Sequence, residues 1–526
     1  MNLRKITLTT VLLLFLSIAS LVLFDLDGLQ AQHAHIPPQL RPFRPFPIRI
    51  ANAIGYLLQR ANVLHLLLPL DEQQLITNAC AQAQNIASRH GSTTLLLPHN
   101  CPLLQDDSTA EWRIGLQTLL TSLNTEGQLT LFGRYFATQQ IGDALKRRAL
   151  VQLHWAMAPL DKQQWKNETI HHPIFIVGLP RTGTTFLQEL LGQDQTLRTL
   201  KMWELMEPVF PIPPSPSDIQ SYSSPSILDK ISQVQWNLDQ YKRLAPGLDA
   251  WHPVHAMRPE ECILTLASTF DSQQYSATYN VPSYNQWLHN HSNHTYAMQW
   301  HKNLLKTLQF HSALSFPQET KTQWVLKTPY FLPLLEDIRA TYPDALIIHT
   351  HRNPEQVLAS AASVHTKTFG IVSDVVDLQR IGAEQVELQR IFLSKAMATR
   401  EKWSLENEPV PNTNTGFRVL DVHLKELQED TMGQVRHIFK TLLGRTLTQQ
   451  NSALMKEWLR ANKRGKHGKH TFDKKVFGID VHGDVLFDKY AAQFSTMNSA
   501  KIAEEVVRVG VESKKRKSSG GGGKEL

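Results

Sequence analysis

Apolar and polar positions divide the chain into two kinds of pattern. From residue 48 to about 165, apolar residues recur at three- and four-residue spacing, as in RIANAIGYLLQRANVLHLLLP (49–69) and EWRIGLQTLLTSL (111–123). That period is the mark of amphipathic helices. The insert STTLLLPHNCPLLQDD (92–107) interrupts it. From Ile174 the pattern changes. Short apolar runs, IFIV (174–177), WVL (324–326), ALIIH (345–349) and FRVLDV (417–422), alternate with helix-like stretches such as LPLLEDIRATY (332–342) and PEQVLASAASV (354–364). Continuous apolar runs separated by helices predict a parallel sheet flanked by helices, an α/β fold behind an N-terminal helical extension.

The ends differ from the body. Arg4 and Lys5 precede ITLTTVLLLFLSIASLVLF (6–24), 19 residues without a charge, and Asp25 and Asp27 follow. This length and flank predict a membrane-anchor helix with the N-terminus on the cytoplasmic side. A cleaved signal peptide ending near Ala31 is the competing reading, and a buried helix the plainest one. HIPPQLRPFRPFP (35–47) reads as an extended Pro-rich spacer, PIPPSPSD near Pro213 as a loop, and KKRKSSGGGGKEL (514–526) as a low-complexity basic tail. The expected organisation is therefore an anchor or signal peptide (1–30), a linker (31–47), a helical extension (48–165), an α/β domain (166–500) and a basic tail (501–526).

Charge narrows the function classes. The 526 residues carry 54 Lys+Arg and 47 Asp+Glu, a net charge of +7, and the run Lys514-Lys515-Arg516-Lys517 supplies over half of it. The body is nearly balanced, which argues against nucleic acid as a partner. Three cysteines, Cys80, Cys101 and Cys262, contain no C-x-x-C pair. Cys80 and Cys101 pair as a disulfide in an oxidising compartment or stay small buried residues in a reducing one. Three N-x-[ST] sequons, at Asn167, Asn290 and Asn293, fit a lumenal domain in a eukaryotic cell. The 23 histidines include the clusters His289/His291/His294 and His467/His470, read as a solvated loop and part of a cationic loop, with no metal expected.

The chemistry concentrates in three stretches. FIVGLPRTGTT (175–185) is an apolar run, a Gly-rich turn and a helix start. Backbone N–H groups and the positive end of a helix make such a turn an anion cradle. Gly183 allows close approach, Arg181 adds a guanidinium fork, and Thr182, Thr184 and Thr185 add hydroxyls. A triphosphate P-loop carries a lysine where this chain has Thr184, so a shorter anion fits better than ATP. IIHTHRNPEQVLAS (347–360) places Arg352 after a strand and Ser360 two turns along a helix, where both reach one phosphate. ANKRGKHGKHTF (461–472) is a glycine-spaced cationic loop, or else a solvated one.

In this order the three stretches resemble the sulfotransferases that use 3′-phosphoadenosine 5′-phosphosulfate (PAPS). HAMRPEECILTL (255–266) and VLKTPYFLPLL (325–335) are similar to a broad branch of that family. The resemblance runs from about residue 48 to residue 494. It implies that Arg181, Thr182, Gly183, Thr184 and Thr185 hold the 5′-phosphosulfate, and that Arg352 and Ser360 hold the 3′-phosphate. Arg464, Gly465, Lys466 and His467 would close over the cofactor. Lys327 resembles the lysine of K-T-P-x-Y-F segments in carbohydrate sulfotransferases, with one residue missing before Tyr330-Phe331, and would stabilise the sulfuryl or leaving group. For the general base the resemblance to tyrosylprotein sulfotransferases favours Glu204 in MWELMEP, with His255 and Glu260 as rivals. Glu204 paired with Arg198 or Arg258, His255 as a hydrogen-bonded core residue and Lys327 as a surface cation are the structural alternatives. The implied acceptor is a hydroxyl on carbohydrate, lipid, small molecule or protein tyrosine, and NVPSYNQWL (280–288), with Tyr284 and Trp287, either lines its pocket or packs. A membrane-bound enzyme facing the Golgi lumen is expected for a eukaryotic chain. A P-loop kinase and a tethered non-catalytic scaffold are the competing functions.

Overall fold

The computed structural model describes residues 36–41, 44–60, 64, 68–89, 101, 103, 109–157, 164–208, 224–244, 249, 252–315, 323–405, 417–463 and 474–494. The anchor or signal segment, the Pro213 loop, Arg464 to His470 and the basic tail lie outside them. Among the described residues no helix is long and apolar enough to cross a membrane.

Helices α1 (Phe46–Arg60), α2 (Glu72–Arg89), α3 (Glu111–Thr125) and α4 (Leu131–Met157) form the N-terminal part. Cys80 in α2 is disulfide-bonded to Cys101, with Cα atoms 5.8 Å apart. The stretch read as an extended spacer is packed where it is described. Pro38–Leu40 form a 3-10 turn, and Ile36 and Leu40 are fully buried. Arg44 donates to the carbonyls of Gly370 and Ser373 and pairs with Asp374. The prolines limit regular structure, but the two aliphatic side chains still gain by leaving water.

Four predicted strands form. They are β1 (Ile174–Gly178), β3 (Gln323–Lys327), β4 (Leu346–His351) and β5 (Arg418–His423). A fifth, β2 (Leu197–Thr199), was not legible, because three residues show no period. All neighbouring strands are parallel, in the order β2-β3-β1-β4-β5. The chain leaves β1 toward one edge, returns to β3, then crosses to β4 on the other side. Ligands of open α/β sheets bind where the order reverses, at the carboxyl ends of the strands.

The sheet lies between two apolar layers. Ile174 and Ile176 pack with Leu187 and Leu190 of α5 (Thr184–Leu191) and with residues of the helices after β5. Phe175 and Val177 face the other way, into a core shared with Trp112, Leu116 and Ile141 of the N-terminal helices. The helical extension and the sheet thus share one core. The remaining elements that matter for the site are α6 (Met202–Met206), α7 (Ser224–Leu244), α8 (Ile263–Ala267), α9 (Pro282–Asn290), α10 (His294–Ser315), α11 (Leu335–Thr341), α12 (Pro354–Val372), α13 (Leu378–Leu405), α14 (Leu424–Glu429), α15 (Thr431–Thr441), α16 (Gln449–Ala461) and α17 (Val485–Gln493).

Candidate active site

The central strand β1 ends in the Gly-rich turn. Gly178 has φ 150°, and a Cβ there would meet the Thr350 carbonyl oxygen at 2.6 Å, so β4 admits glycine alone without a shift. Arg181 sits at φ 68° and Gly183 at φ 92°, which turns the chain into α5. The first amides of α5 have no intrahelical acceptor. Thr182 is fully buried. Its hydroxyl donates to the Leu179 carbonyl at 2.7 Å and shares a proton with the Thr350 hydroxyl at 2.6 Å. The Thr182 side chain therefore locks the turn to β4 instead of reaching a ligand.

Arg181, Arg352 and Ser360 are brought together. The Arg181 Nε donates to the Ser360 hydroxyl at 3.3 Å, and Arg352 Nη1 donates to the Arg181 carbonyl at 2.9 Å. Asn353 caps α12 by accepting from the Gln356 amide, and Gln356 accepts from Arg352 Nε at 3.2 Å. Beneath Arg352, His351 bonds Tyr490 of α17 at 2.8 Å and Asp421 of β5 at 2.8 Å. His349, His351 and Asp421 are the one group among the described residues with metal-ligand spacing. Arg400 donates to both Asp421 oxygens, so the carboxylate already has a cationic partner.

Lys327 closes β3 beside β1. It is 1% exposed, so it is no surface cation. Its Nζ donates to the Thr185 hydroxyl at 3.1 Å and to Glu261 at 2.7 Å. The other Glu261 oxygen accepts from the Thr328 hydroxyl at 3.1 Å. Glu260, one residue earlier, turns the opposite way to His252, 3.3 Å from its Nε2. Burial alone would raise the Glu260 carboxyl, but His252, its hydrogen bond and Lys327 outweigh burial and hold it at about 2. Glu260 in turn raises His252 above its ordinary value. The two therefore favour an ion pair.

Arg181, Thr185, Thr328 and the His252, Glu260 and Glu261 side chains face a cleft of about 730 Å³, whereas Lys327, Arg352 and Ser360 are not part of its lining and stand behind Thr185, Glu261 and Arg181, which they contact. Pro180, Arg181, Thr184, Thr185, His252, Glu260 and Glu261 line one end. Trp458, Asn462 and Lys463 line its rim, and the Trp458 ring lies 5.7 Å from Phe186. The chain then enters the RGKHGKH stretch. Arg464, Gly465, Lys466 and His467 belong to it and lie outside the described residues.

Two proposed bases sit elsewhere. Glu204 is buried at the N-terminus of α6, where it accepts from Arg198 at 2.7 Å and from the Lys201 amide at 2.8 Å. Both oxygens are committed, and it does not line the cleft. The Arg198 partner is the structural alternative already weighed. His255 is exposed and accepts from the Met257 amide at 3.1 Å, also outside the cleft lining. Sequence reasoning missed Glu261 and His252. Two adjacent glutamates in RPEE were visible, but which one pairs with His252 and which with Lys327 depends on the tertiary packing. His252 stands in a stretch without period.

The comparisons agree with this geometry. The model of the sulfotransferase family matches residues 173–449. The crystal structure of sulfotransferase STF1 from Mycobacterium tuberculosis H37Rv is 26% identical, with a TM-score of 0.58, and the match covers 79% of this chain and 98% of that one. The crystal structure of sulfotransferase STF9 from Mycobacterium avium, 22% identical, shares the fold with a TM-score of 0.60 over 79% of this chain and 97% of that one. A search of the curated proteins finds no match. With the family model spanning over half the residues, and a turn, two arginines and a buried lysine gathered at the carboxyl ends of the three central strands, the chain belongs to the sulfotransferase family.

Proposed function

We propose that the protein transfers the sulfuryl group of PAPS to a hydroxyl acceptor. One observation carries the reading: Arg181 contacts the Ser360 hydroxyl while Arg352 contacts the Arg181 carbonyl, which sets two cations and a hydroxyl beside the helix-start amides. This donor set fits a nucleotide with phosphates at both ends. The bound donor would supply an activated sulfuryl group on a phosphate leaving group. Arg181, Thr184 and Thr185 would hold the 5′ end, and Arg352 with Ser360 the 3′-phosphate. Lys327, fixed by Thr185 and Glu261, would offer its charge to the leaving group as negative charge grows there. Glu261 is the proposed base, because it lines the cleft beside Lys327 while Glu260 is held as the partner of His252. The Arg464–His467 stretch follows Lys463, which lines the cleft, and this supports a role in covering the nucleotide. The Cys80–Cys101 disulfide supports an oxidising compartment.

The test is calorimetric titration with 3′-phosphoadenosine 5′-phosphate (PAP). Micromolar binding is expected, with a loss of at least about tenfold in Arg352→Ala. A folded protein that does not bind PAP would refute the reading and favour a non-catalytic scaffold.

A further inference from the structure

A second cavity of about 320 Å³ adjoins the cleft. Gln273, His365, Gln385 and Leu388 line both spaces, so they form one continuous site with a branch. Gln273 and Gln385 belong to the shared wall, and Gln389, one turn further along α13, lines the cleft beside it. Gln273, Gln385 and Gln389 are 7%, 3% and 1% exposed, and the Oε1 of each has no hydrogen-bond partner. The orientation of two is fixed from behind. The Gln273 Nε2 donates to the Ser276 hydroxyl, and the Gln385 Nε2 donates to His365 Nδ1 at 3.1 Å. Their carbonyl oxygens are left as acceptors. The Tyr279 hydroxyl and His289 Nε2, which line the branch, are unpartnered as well.

Buried polar atoms without partners are rare, because each forfeits its hydration. Four of them belong to residues lining the branch and a fifth, of Gln389, to the adjoining cleft wall, which points to a ligand that supplies the missing hydrogen bonds. Gln385, Leu388, Gln389 and Phe392 follow the helical spacing of one face of α13, and all four line the cleft. The charge of the branch narrows the ligand. Burial pulls His289 down to about 3 and His365 to about 4, so both are neutral at physiological pH. Among the described residues no lysine or arginine lines the branch, whereas Glu384 and Glu387 do. An anionic acceptor would find no counter-charge there. Hydroxyl groups would find the amide oxygens of Gln273 and Gln385, with that of Gln389 on the adjoining cleft wall.

We propose that this branch and the cleft wall beside it form the acceptor subsite and that the acceptor is an uncharged, hydroxyl-rich molecule of the sugar type. The proposal rests on the sulfotransferase reading of the cleft. One acceptor hydroxyl oxygen bonds to the donor sulfur as the bond between sulfur and the 5′-phosphate oxygen breaks. The hydroxyl proton passes to Glu261, and PAP leaves with the bonding electron pair. The other hydroxyls donate to Gln273, Gln385 and Gln389. Amides that hydrogen-bond a substrate discriminate strongly against one that cannot reciprocate.

The experiment measures PAP release by the full chain with PAPS and hexyl β-glucoside, β-galactoside, β-mannoside or β-glucuronide. Turnover of at least one neutral glycoside is expected, with kcat/KM for the glucuronide at least about tenfold lower than for the best of them. Gln385→Leu and Gln389→Leu should each raise the KM for that glycoside about tenfold while PAP affinity stays at the wild-type value. Three results overturn the proposal: glucuronide turnover equal to or above the neutral glycosides, an unchanged KM in both leucine variants, or no transfer to any neutral glycoside by a protein that binds PAP. Failure to bind PAP instead refutes the sulfotransferase reading beneath it.

Discussion

Thr182→Val separates a lock from a ligand. Valine puts a methyl where the hydroxyl was, so no cavity forms and the hydrogen bonds alone are lost. That hydroxyl is buried, donates to the Leu179 carbonyl at 2.7 Å and meets the Thr350 hydroxyl at 2.6 Å. Thr350 retains a second bond, to the Val177 carbonyl at 3.2 Å. The Leu179 carbonyl loses a buried donor, which costs about 1–3 kcal/mol. The turn would loosen where Arg181 and the α5 amides face the cleft, so PAP affinity should fall by about tenfold, the equivalent of 1.4 kcal/mol. Thr182→Ser should stay near wild type in affinity. Thermal melting and PAP calorimetry on the two variants decide the matter. A lowered melting temperature together with weakened binding is the expected pair. Weakened binding at unchanged stability would show that the hydroxyl touches the nucleotide, as the sequence suggested. No change in either would refute the lock.

Other outcomes follow from the same geometry. Gly178→Ala forces a Cβ to 2.6 Å from the Thr350 carbonyl at φ 150°, and should lower the melting temperature and abolish PAP binding; wild-type behaviour would contradict the close approach of β1 and β4. Glu261→Gln removes the proposed base and the charge facing Lys327, and kcat should fall about 10²–10⁴-fold with PAP still bound; a kcat within tenfold of wild type would move the base elsewhere. Burial lowers His154 to about 4 and His289 and His301 to about 3, with Lys230 also acting on His154 and Lys395 on His289. Their folded values lie below the unfolded one. Stability is therefore fully present above about pH 6.5 and is lost as pH falls toward 3–4, by about 1.4 kcal/mol per pH unit for each group. Denaturant midpoints between pH 7 and pH 4 would test this, and a flat profile would contradict neutral burial.

The parallel strands were legible because burial on both faces writes them as unbroken apolar runs, as in IFIV and ALIIH. The positions of Arg181, Arg352 and Lys327 were legible because each stands at or just past the carboxyl end of such a run. β2 was hidden by its length and by Arg198 in its middle, whose charge is met by Glu204. The same pair explains the error at Glu204: position after the first helix does not reveal that both carboxylate oxygens are already taken. Gln385 and Gln389 were invisible for another reason. On a long helix a glutamine reads as a solvated position, and only the packing of α12 and α13 turns that face inward. The packed Ile36 and Leu40 show the same gap, since a proline-rich composition reports backbone stiffness and says nothing of where two aliphatic side chains settle.

The disulfide leaves Cys262 as the one free thiol of a three-cysteine chain. It follows Glu261, and its amide donates to the Lys327 carbonyl at 2.9 Å. Burial pushes the thiol up to about 12, so in the folded protein it resists alkylation. The chain thereby carries its own chemical clock. Under non-reducing conditions, the rate at which a thiol reagent marks a single site reports how often the floor beneath Lys327 and Glu261 opens, with no engineered label. A nucleotide that steadies this floor would slow the clock, so occupancy can be followed by mass alone, before any acceptor has been found.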